Sequence, residues 1–158
     1  MSLQIENVLS AIKKVSSASE SEYDALCSQF EKDQAELVEA VDTLSETGID
    51  DDFYGFAFGL TMIVNEAYQI QLKKKCPVIS AEMVNEMVKF QLQDFSKHAA
   101  DLDGWRDALG SDPERFVYYY IIEMLIEQGW RVEMPGGINV LVMLMAVADA
   151  YDETVFSE

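Results

Sequence analysis

The residues of this chain whose types and positions could support chemistry are carboxylates within or beside apolar helical stretches. The set comprises Glu36, Glu39, Glu66, Glu123, Asp149 and Asp152. Oxygen-rich clusters gathered from several helices can bind Mg²⁺ or Mn²⁺ and activate a water molecule for attack on a phosphate. One hypothesis for function is therefore a Mg- or Mn-dependent all-α nucleotide or phosphate hydrolase.

Two features weaken this hydrolase hypothesis. The Glu36-x-x-Glu39 spacing matches the first acidic motif of all-α nucleotide pyrophosphatases, but no Glu-x-x-Asp motif follows nearby. Its closest substitute, Asp149-x-x-Asp152, comes about 110 residues later. Bases that could hold phosphates are also scarce, with 11 Lys and Arg against 29 Asp and Glu. Lone acids on apolar helices more often lie at a boundary or pair with a base, so the hydrolase is the alternative interpretation.

The sequence lacks the residue patterns that di-iron, nucleophilic, nucleotide-binding and calcium sites require. The chain has a single histidine, His98, whereas a di-iron bundle needs two Glu-x-x-His pairs. No Gly-x-Ser-x-Gly nucleophile motif, phosphate-binding glycine loop or dinucleotide fingerprint is present. The Asp50-x-Asp52 pattern partly matches a calcium loop, but Thr61 stands where that loop requires a glutamate.

The net charge of −18 is unevenly distributed. Residues 1–52 hold 13 acids and 3 bases, residues 53–100 hold 4 and 5, and residues 101–158 hold 12 and 3. Acidic ends of this kind repel nucleic-acid backbones and anionic membranes, and they attract basic proteins and cations. The charge therefore excludes nucleic acid and membrane as partners and favours a basic protein.

The main hypothesis is an acidic, non-enzymatic protein-binding module, such as an inhibitor or immunity-type binder of a basic enzyme. Aromatic residues are common anchors in interfaces. Trp105 and Trp130 lie in connecting segments, and Tyr119 belongs to a run of three tyrosines that spreads around its helix. These three residues are the predicted aromatic contacts with a partner.

Gly55 and Gly59 are a second candidate contact surface. They lie four residues apart on one helix face, where each lowers helix propensity by about 1 kcal/mol relative to alanine. Close approach of another helix backbone would explain them. The face could instead form a binding groove or the interface of a homodimer.

Compartment is predicted from cysteine usage and from the N-terminal segment. Cys27 and Cys76 lack metal-ligand spacing and are interpreted as reduced thiols of a cytoplasmic protein. The N-terminal segment follows helical periodicity and does not resemble a signal peptide. The longest apolar run, residues 138–148, is too short to span a bilayer.

Helical periodicity along the chain predicts an all-α fold. About six helices are expected, at 3–15, 20–46, 50–75, 81–102, 113–128 and 138–155, with a short helical segment at 105–109. Capping signals mark several of their ends: the Ser19–Glu22 capping box, Asp50, Ser80 and the helix stop Gly129. The stretches 116–126 and 138–148 are apolar nearly all round, so other helices must cover them. We therefore expect residues 1–158 to form a single-domain helical bundle with this apolar C-terminal helix pair at its centre.

Overall fold

The computed structural model describes residues 2–157, and within that range it consists of helices, turns and connecting segments. The all-α fold class is confirmed, but the described residues form eight α-helices where about six were predicted. They are α1 (Ile5–Ser16), α2 (Glu20–Asp33), α3 (Ala35–Asp42), α4 (Asp51–Leu72), α5 (Ala81–His98), α6 (Leu102–Gly110), α7 (Phe116–Glu127) and α8 (Gly137–Phe156). Short 3₁₀ helices at Thr43–Glu46 and Pro113–Arg115 follow α3 and precede α7.

The first additional helix arises because the predicted helix 20–46 is divided at Gln34. The backbone of Gln34 leaves helical geometry, with φ −129° and ψ 48°. Its side chain is buried and bonds to the connection between α4 and α5. Gln34 Nε2 donates to the Pro77 carbonyl at 3.0 Å, and Gln34 Oε1 accepts from the Ile79 N–H at 2.8 Å. A tertiary contact therefore overrides a periodicity that would otherwise continue.

The second additional helix is α6, which is longer than the short segment predicted at 105–109. The Asp101 side chain caps it by accepting a hydrogen bond from the Gly104 N–H at 3.0 Å. Gly104 suits this cap, because a Cβ atom there would lie 2.3 Å from Asp101 Oδ2. The cap starts α6 directly after α5, which ends at His98 rather than near residue 102.

The helix α8 is buried along most of its length and packs against α5, α4 and α7. A helix that is apolar nearly all round needs neighbours on several sides. Its most extensive contact is with α5, so a centre formed by the α7–α8 pair is not confirmed in that form. No helix within residues 2–157 combines the length and apolarity needed to cross a membrane.

Several helix ends follow the sequence signals that predicted them. Ser19 and Glu22 form a complete capping box at the start of α2. The side chains of Asp50 and Ser80 accept backbone N–H bonds at the starts of α4 and α5. Gly129, with φ +97°, follows the end of α7. Each side-chain cap stabilises its helix by about 1 kcal/mol.

Candidate functional site

Asp149 and Asp152 lie three residues apart near the end of α8, and both accept hydrogen bonds from neighbouring helices. Tyr118 Oη donates to Asp149 Oδ1 at 2.6 Å, and Gln91 Nε2 donates to Asp149 Oδ2 at 2.5 Å. Tyr68 Oη donates to Asp152 Oδ1 at 2.9 Å. These five side chains, contributed by α4, α5, α7 and α8, are named the tyrosine–carboxylate cluster.

Burial controls protonation in the tyrosine–carboxylate cluster. It raises the pKa of Asp149 and the pKa of Asp152, because the ionised carboxylates lose hydration. Burial also raises the pKa of Tyr68 and the pKa of Tyr118, so both phenols stay protonated and donate. Because both phenols keep their protons, Tyr118 remains a hydrogen-bond donor to Asp149 and Tyr68 to Asp152.

An open cavity of about 300 Å³ adjoins the cluster and is lined by Asp149, Asp152, Glu153, Met87 and Phe90. Carboxylates at such a cavity can contact a cation, but a protein site for a divalent ion needs a larger set of oxygen ligands. Within residues 2–157, no group of three or more His, Cys, Asp or Glu side chains is arranged to hold a metal ion.

Two of the predicted metal ligands form ion pairs away from this cluster. Glu66 is buried on α4, and its Oε2 accepts from Lys14 Nζ at 2.8 Å. Glu123 on α7 receives two hydrogen bonds from Arg106 on α6, at 2.5 Å from Nε and 2.9 Å from Nη2. The hydrogen bonding by Arg106 lowers the pKa of Glu123. Each carboxylate is thus matched by a base within the chain.

The last two predicted ligands lie on α3. Glu36 Oε1 accepts from the Ala81 N–H at 3.2 Å, and the Glu39 side chain is exposed. Of the six predicted carboxylates, the structure brings Asp149 and Asp152 together and distributes the others over separate contacts. The geometry therefore gives the hydrolase hypothesis two adjacent acids rather than a cluster from several helices.

Both tryptophans line a single cavity at the junction of α6, α7 and α8, with a volume of about 280 Å³. Its apolar lining consists of Leu102, Trp105, Ile122, Ile126, Trp130 and Leu141. Asp103 and Arg106 complete the lining. This cavity is named the tryptophan pocket.

Local sequence explains how the pocket forms. On α6, Leu102 and Trp105 are three residues apart, and on α7, Ile122 and Ile126 are four apart, so each pair shares a helix face. The turn after α7 then brings Trp130 back towards this face. The Trp130 N–H donates to the Leu125 carbonyl at 2.9 Å, a bond typical of a glycine-terminated helix end.

The two indole rings are held differently. Trp130 Nε1 donates to the Gly137 carbonyl at 2.8 Å. Trp105 is held by ring contacts, stacked on His98 at 5.6 Å and edge-to-face with Phe95 at 6.4 Å. No acceptor for Trp105 Nε1 is found within residues 2–157, and that atom is not fully buried. The Trp105 ring is therefore fixed by its ring contacts, while its indole N–H lacks an acceptor among the described residues.

Acidic residues line the tryptophan pocket or lie next to its lining residues in the sequence. Residues 101–127 contain seven acids and two bases. One of these bases, Arg106, is bonded to Glu123. Asp103, Asp107 and Glu127 are exposed, and none is in an ion pair with another described residue. A cation from a partner would find carboxylates available here.

The third predicted aromatic contact, Tyr119, is half-buried at the packing of α7 on α6. Its ring lies so close to Gly110 that a Cβ atom there would be 2.7 Å from it. Tyr119 is outside the lining of the tryptophan pocket. Its position indicates a structural contribution to the α6–α7 contact.

The predicted glycine face has a different environment from the one expected. A Cβ atom on Gly59 would meet the Tyr23 hydroxyl at 3.3 Å, and one on Gly55 would meet nothing within 4 Å among the described residues outside its own helix turn. The expected close approach of another helix backbone is therefore wrong for this chain, because a side chain of α2 covers Gly59. A homodimer through the exposed Gly55 side stays a prediction.

Gln91 and Tyr68 belong to the tyrosine–carboxylate cluster but were not predicted from the sequence as site residues. Gln91 carried a usable signal, because it is the polar residue on an α5 seam that also includes Val84, Val88 and Phe95. A buried amide in an apolar seam needs a hydrogen-bond partner. Tyr68 gave no such signal within the long apolar run of α4.

Comparisons with protein-family models, curated proteins and solved structures found no match. Similarity thus transfers no function to this chain. We therefore infer its function from the geometry of its own surfaces.

Proposed function

We propose that this chain is an acidic, non-enzymatic cytoplasmic protein that binds a basic protein partner, as an inhibitor or immunity-type binder does. The observation that carries the proposal is the tryptophan pocket, a mainly apolar cavity that is lined by both tryptophans and by the exposed Asp103. The side chains around it provide an apolar contact, a hydrogen-bond donor and negative charge.

The fixed position of Trp105 favours binding. Its contacts with Phe95 and His98 restrict the ring before any partner arrives. A side chain that is ordered in advance loses little conformational entropy on association. Tryptophan is also among the residues that contribute most to interface energy, especially in pockets that exclude water.

The distribution of charge favours a basic partner. Complementary potentials increase the association rate and disfavour partners of like charge. The acids of α6 include Asp103 and Asp107, which remain available because Arg106 is bonded to Glu123. The hydrolase alternative has less support, since Asp149 and Asp152 already accept hydrogen bonds from the chain.

Ile126→Lys tests the proposal, with Ile138→Lys as its matched control. Both isoleucines are 38% exposed, and Ile126 lines the pocket while Ile138 does not. Each variant is immobilised and incubated with extract of the source cell, and retained proteins are identified by mass spectrometry. Each candidate is then purified and titrated by calorimetry at several salt concentrations.

We expect a basic protein to bind the wild type and Ile138→Lys but not Ile126→Lys, because the new lysine places a charge in the apolar lining of the pocket and repels a basic partner. The Kd of that basic protein for the wild type should rise with salt concentration, since salt screens exposed charges. The proposal fails if no retained protein distinguishes the two variants, or if the one that does is acidic and binds independently of salt.

A further inference from the structure

The tryptophan pocket has the size and lining for one large apolar side chain. Pockets for drug-sized ligands occupy roughly 300–1,000 Å³, and this cavity, at about 280 Å³, is just below that range. Six apolar residues line it, including both indole rings. An aromatic or long aliphatic side chain therefore matches the interior better than a polar metabolite does.

The unpartnered Trp105 indole donor indicates which group of the ligand accompanies that side chain. Trp105 Nε1 lacks an acceptor among the described residues, whereas Trp130 Nε1 is already bonded to Gly137. A peptide carbonyl next to the anchoring side chain would accept the Trp105 N–H. Carbonyls within a helix are already bonded to the helix itself. Away from a helix C-terminus, a free carbonyl at this position therefore indicates an extended segment.

The surrounding carboxylates select the neighbouring residues of the ligand. Asp103 lines the cavity, and Asp107 follows it one helical turn later on the same face of α6. Arg106 is bonded to Glu123 at two positions, so its charge is already matched. Lysine or arginine beside the anchor is therefore favoured, and acidic residues are disfavoured.

We infer that the tryptophan pocket binds an extended segment of a basic protein in which one aromatic or long aliphatic side chain is flanked by lysine or arginine. The apolar side chain enters the cavity, an adjacent backbone carbonyl accepts the Trp105 indole N–H, and the flanking cations face Asp103 and Asp107. This inference rests on the proposed function and specifies the chemistry of the partner at the same site.

The test uses the ¹⁵N-labelled full chain, whose two tryptophans give two indole N–H signals. Trp105→Phe and Trp130→Phe assign these signals. Three blocked pentapeptides with glycine at both ends are titrated, carrying Lys-Phe-Lys, Glu-Phe-Glu or Lys-Ala-Lys at the centre. Ile126→Lys and Ile138→Lys are titrated with the Lys-Phe-Lys peptide as the matched pair of variants.

We expect the Lys-Phe-Lys peptide to move the Trp105 indole proton downfield, the direction that hydrogen bonding to a carbonyl produces. Its Kd should be lower than that of each other peptide by about tenfold or more, because each lacks either the anchor or the cations. Ile138→Lys should bind as the wild type does. Ile126→Lys should lose binding while its indole signals stay dispersed, which shows that it is folded.

Equal binding of the Glu-Phe-Glu peptide, or no Trp105 shift with Lys-Phe-Lys at its solubility limit, overturns the inference. A Trp105 shift caused by raising the protein concentration alone also overturns it, since the occupant is then a second copy of the chain. If the peptides fail while a basic protein is still lost selectively by Ile126→Lys, the inferred peptide chemistry fails and the proposed function stands.

Discussion

In the tyrosine–carboxylate cluster, the hydroxyls of Tyr68 and Tyr118 donate to carboxylates of α8, and Gln91 adds a third donor. In the tryptophan pocket, the Trp105 indole N–H lacks a partner among the described residues, and the nearby Asp103 is exposed. Both regions combine aromatic rings with acids. The first satisfies its polar groups within the fold, and the second leaves several available.

This difference separates stability from binding. A polar group that is already bonded within the chain gains little from a ligand, because the existing bond must be broken first. A donor that has no acceptor within the chain and lies beside an apolar cavity can bond to a partner without breaking an internal bond, and the apolar contact adds to the gain. Of the two regions, the tryptophan pocket has fewer internal hydrogen bonds, and it is therefore the better candidate for binding a partner.

The largest expected effect is on the free energy of unfolding, which we compare for an aspartate substitution in each region. Asp149→Ala leaves Tyr118 and Gln91 without their acceptor, and an unsatisfied buried donor costs about 1–3 kcal/mol. Asp103→Ala removes an exposed carboxylate and should change the free energy of unfolding by no more than about 0.5 kcal/mol. Urea denaturation measures the change in the free energy of unfolding for both variants, provided that their m-values are equal to that of the wild type. Equal losses would show that the cluster does not contribute through internal bonding.

A smaller effect should appear in the pH dependence of stability. Burial raises the pKa of Asp149 above its ordinary 3.8, so the folded state binds this proton more tightly than the unfolded state does. Stability from this group is therefore lost as pH rises from 3.8 through the folded pKa. Arg106 lowers the pKa of Glu123 below 4.5, so that group stabilises above pH 4.5 and its contribution is lost on acidification.

Two isosteric variants measure these opposite slopes. Asp149→Asn should gain stability relative to the wild type as pH rises from about 3 to 7, and Glu123→Gln should lose it over the same window. Urea midpoints at each pH give both difference curves. Parallel curves would mean that the two acids have the same environment, which would contradict the contrast between the regions.

The smallest expected effect concerns divalent metals. Thermal melts with Mg²⁺, Mn²⁺ or Ca²⁺, each matched in ionic strength by a monovalent salt, should give equal small increases in Tm, because any salt screens a charge of −18. A specific site occupied at a hundred times its Kd adds about 2.7 kcal/mol, which amounts to several degrees. A shift of that size with one metal would favour the hydrolase alternative at Asp149 and Asp152.

Local signals predicted much of the fold. Ser19, Ser80 and Gly129 identified helix ends because capping depends on residues within one turn. The division of the second predicted helix at Gln34 was not predictable in this way. Its cause is a pair of hydrogen bonds to residues more than 40 positions later. Periodicity predicts which face of a helix is apolar. It does not predict which distant backbone group will form a hydrogen bond with a side chain of that helix.

The candidate site was predictable only in part. Trp105 and Trp130 were selected from the sequence as contact residues, but their common cavity depends on how α7 turns back at Gly129. Spacing placed Asp149 and Asp152 on one helix face. Spacing along the chain could not show whether Glu66 and Glu123 lie near these aspartates, because they are on other helices and distances between helices depend on tertiary packing.

The Gln34 side chain has a consequence for how the molecule opens. One amide group bonds to both Pro77 and Ile79, so the connection between α4 and α5 depends on the junction of α2 and α3. When Gln34 moves away, the Ile79 amide loses its acceptor, and both segments become exposed together. We therefore expect these residues, although far apart in the chain, to form one cooperative unit in hydrogen exchange, with protection that rises and falls together.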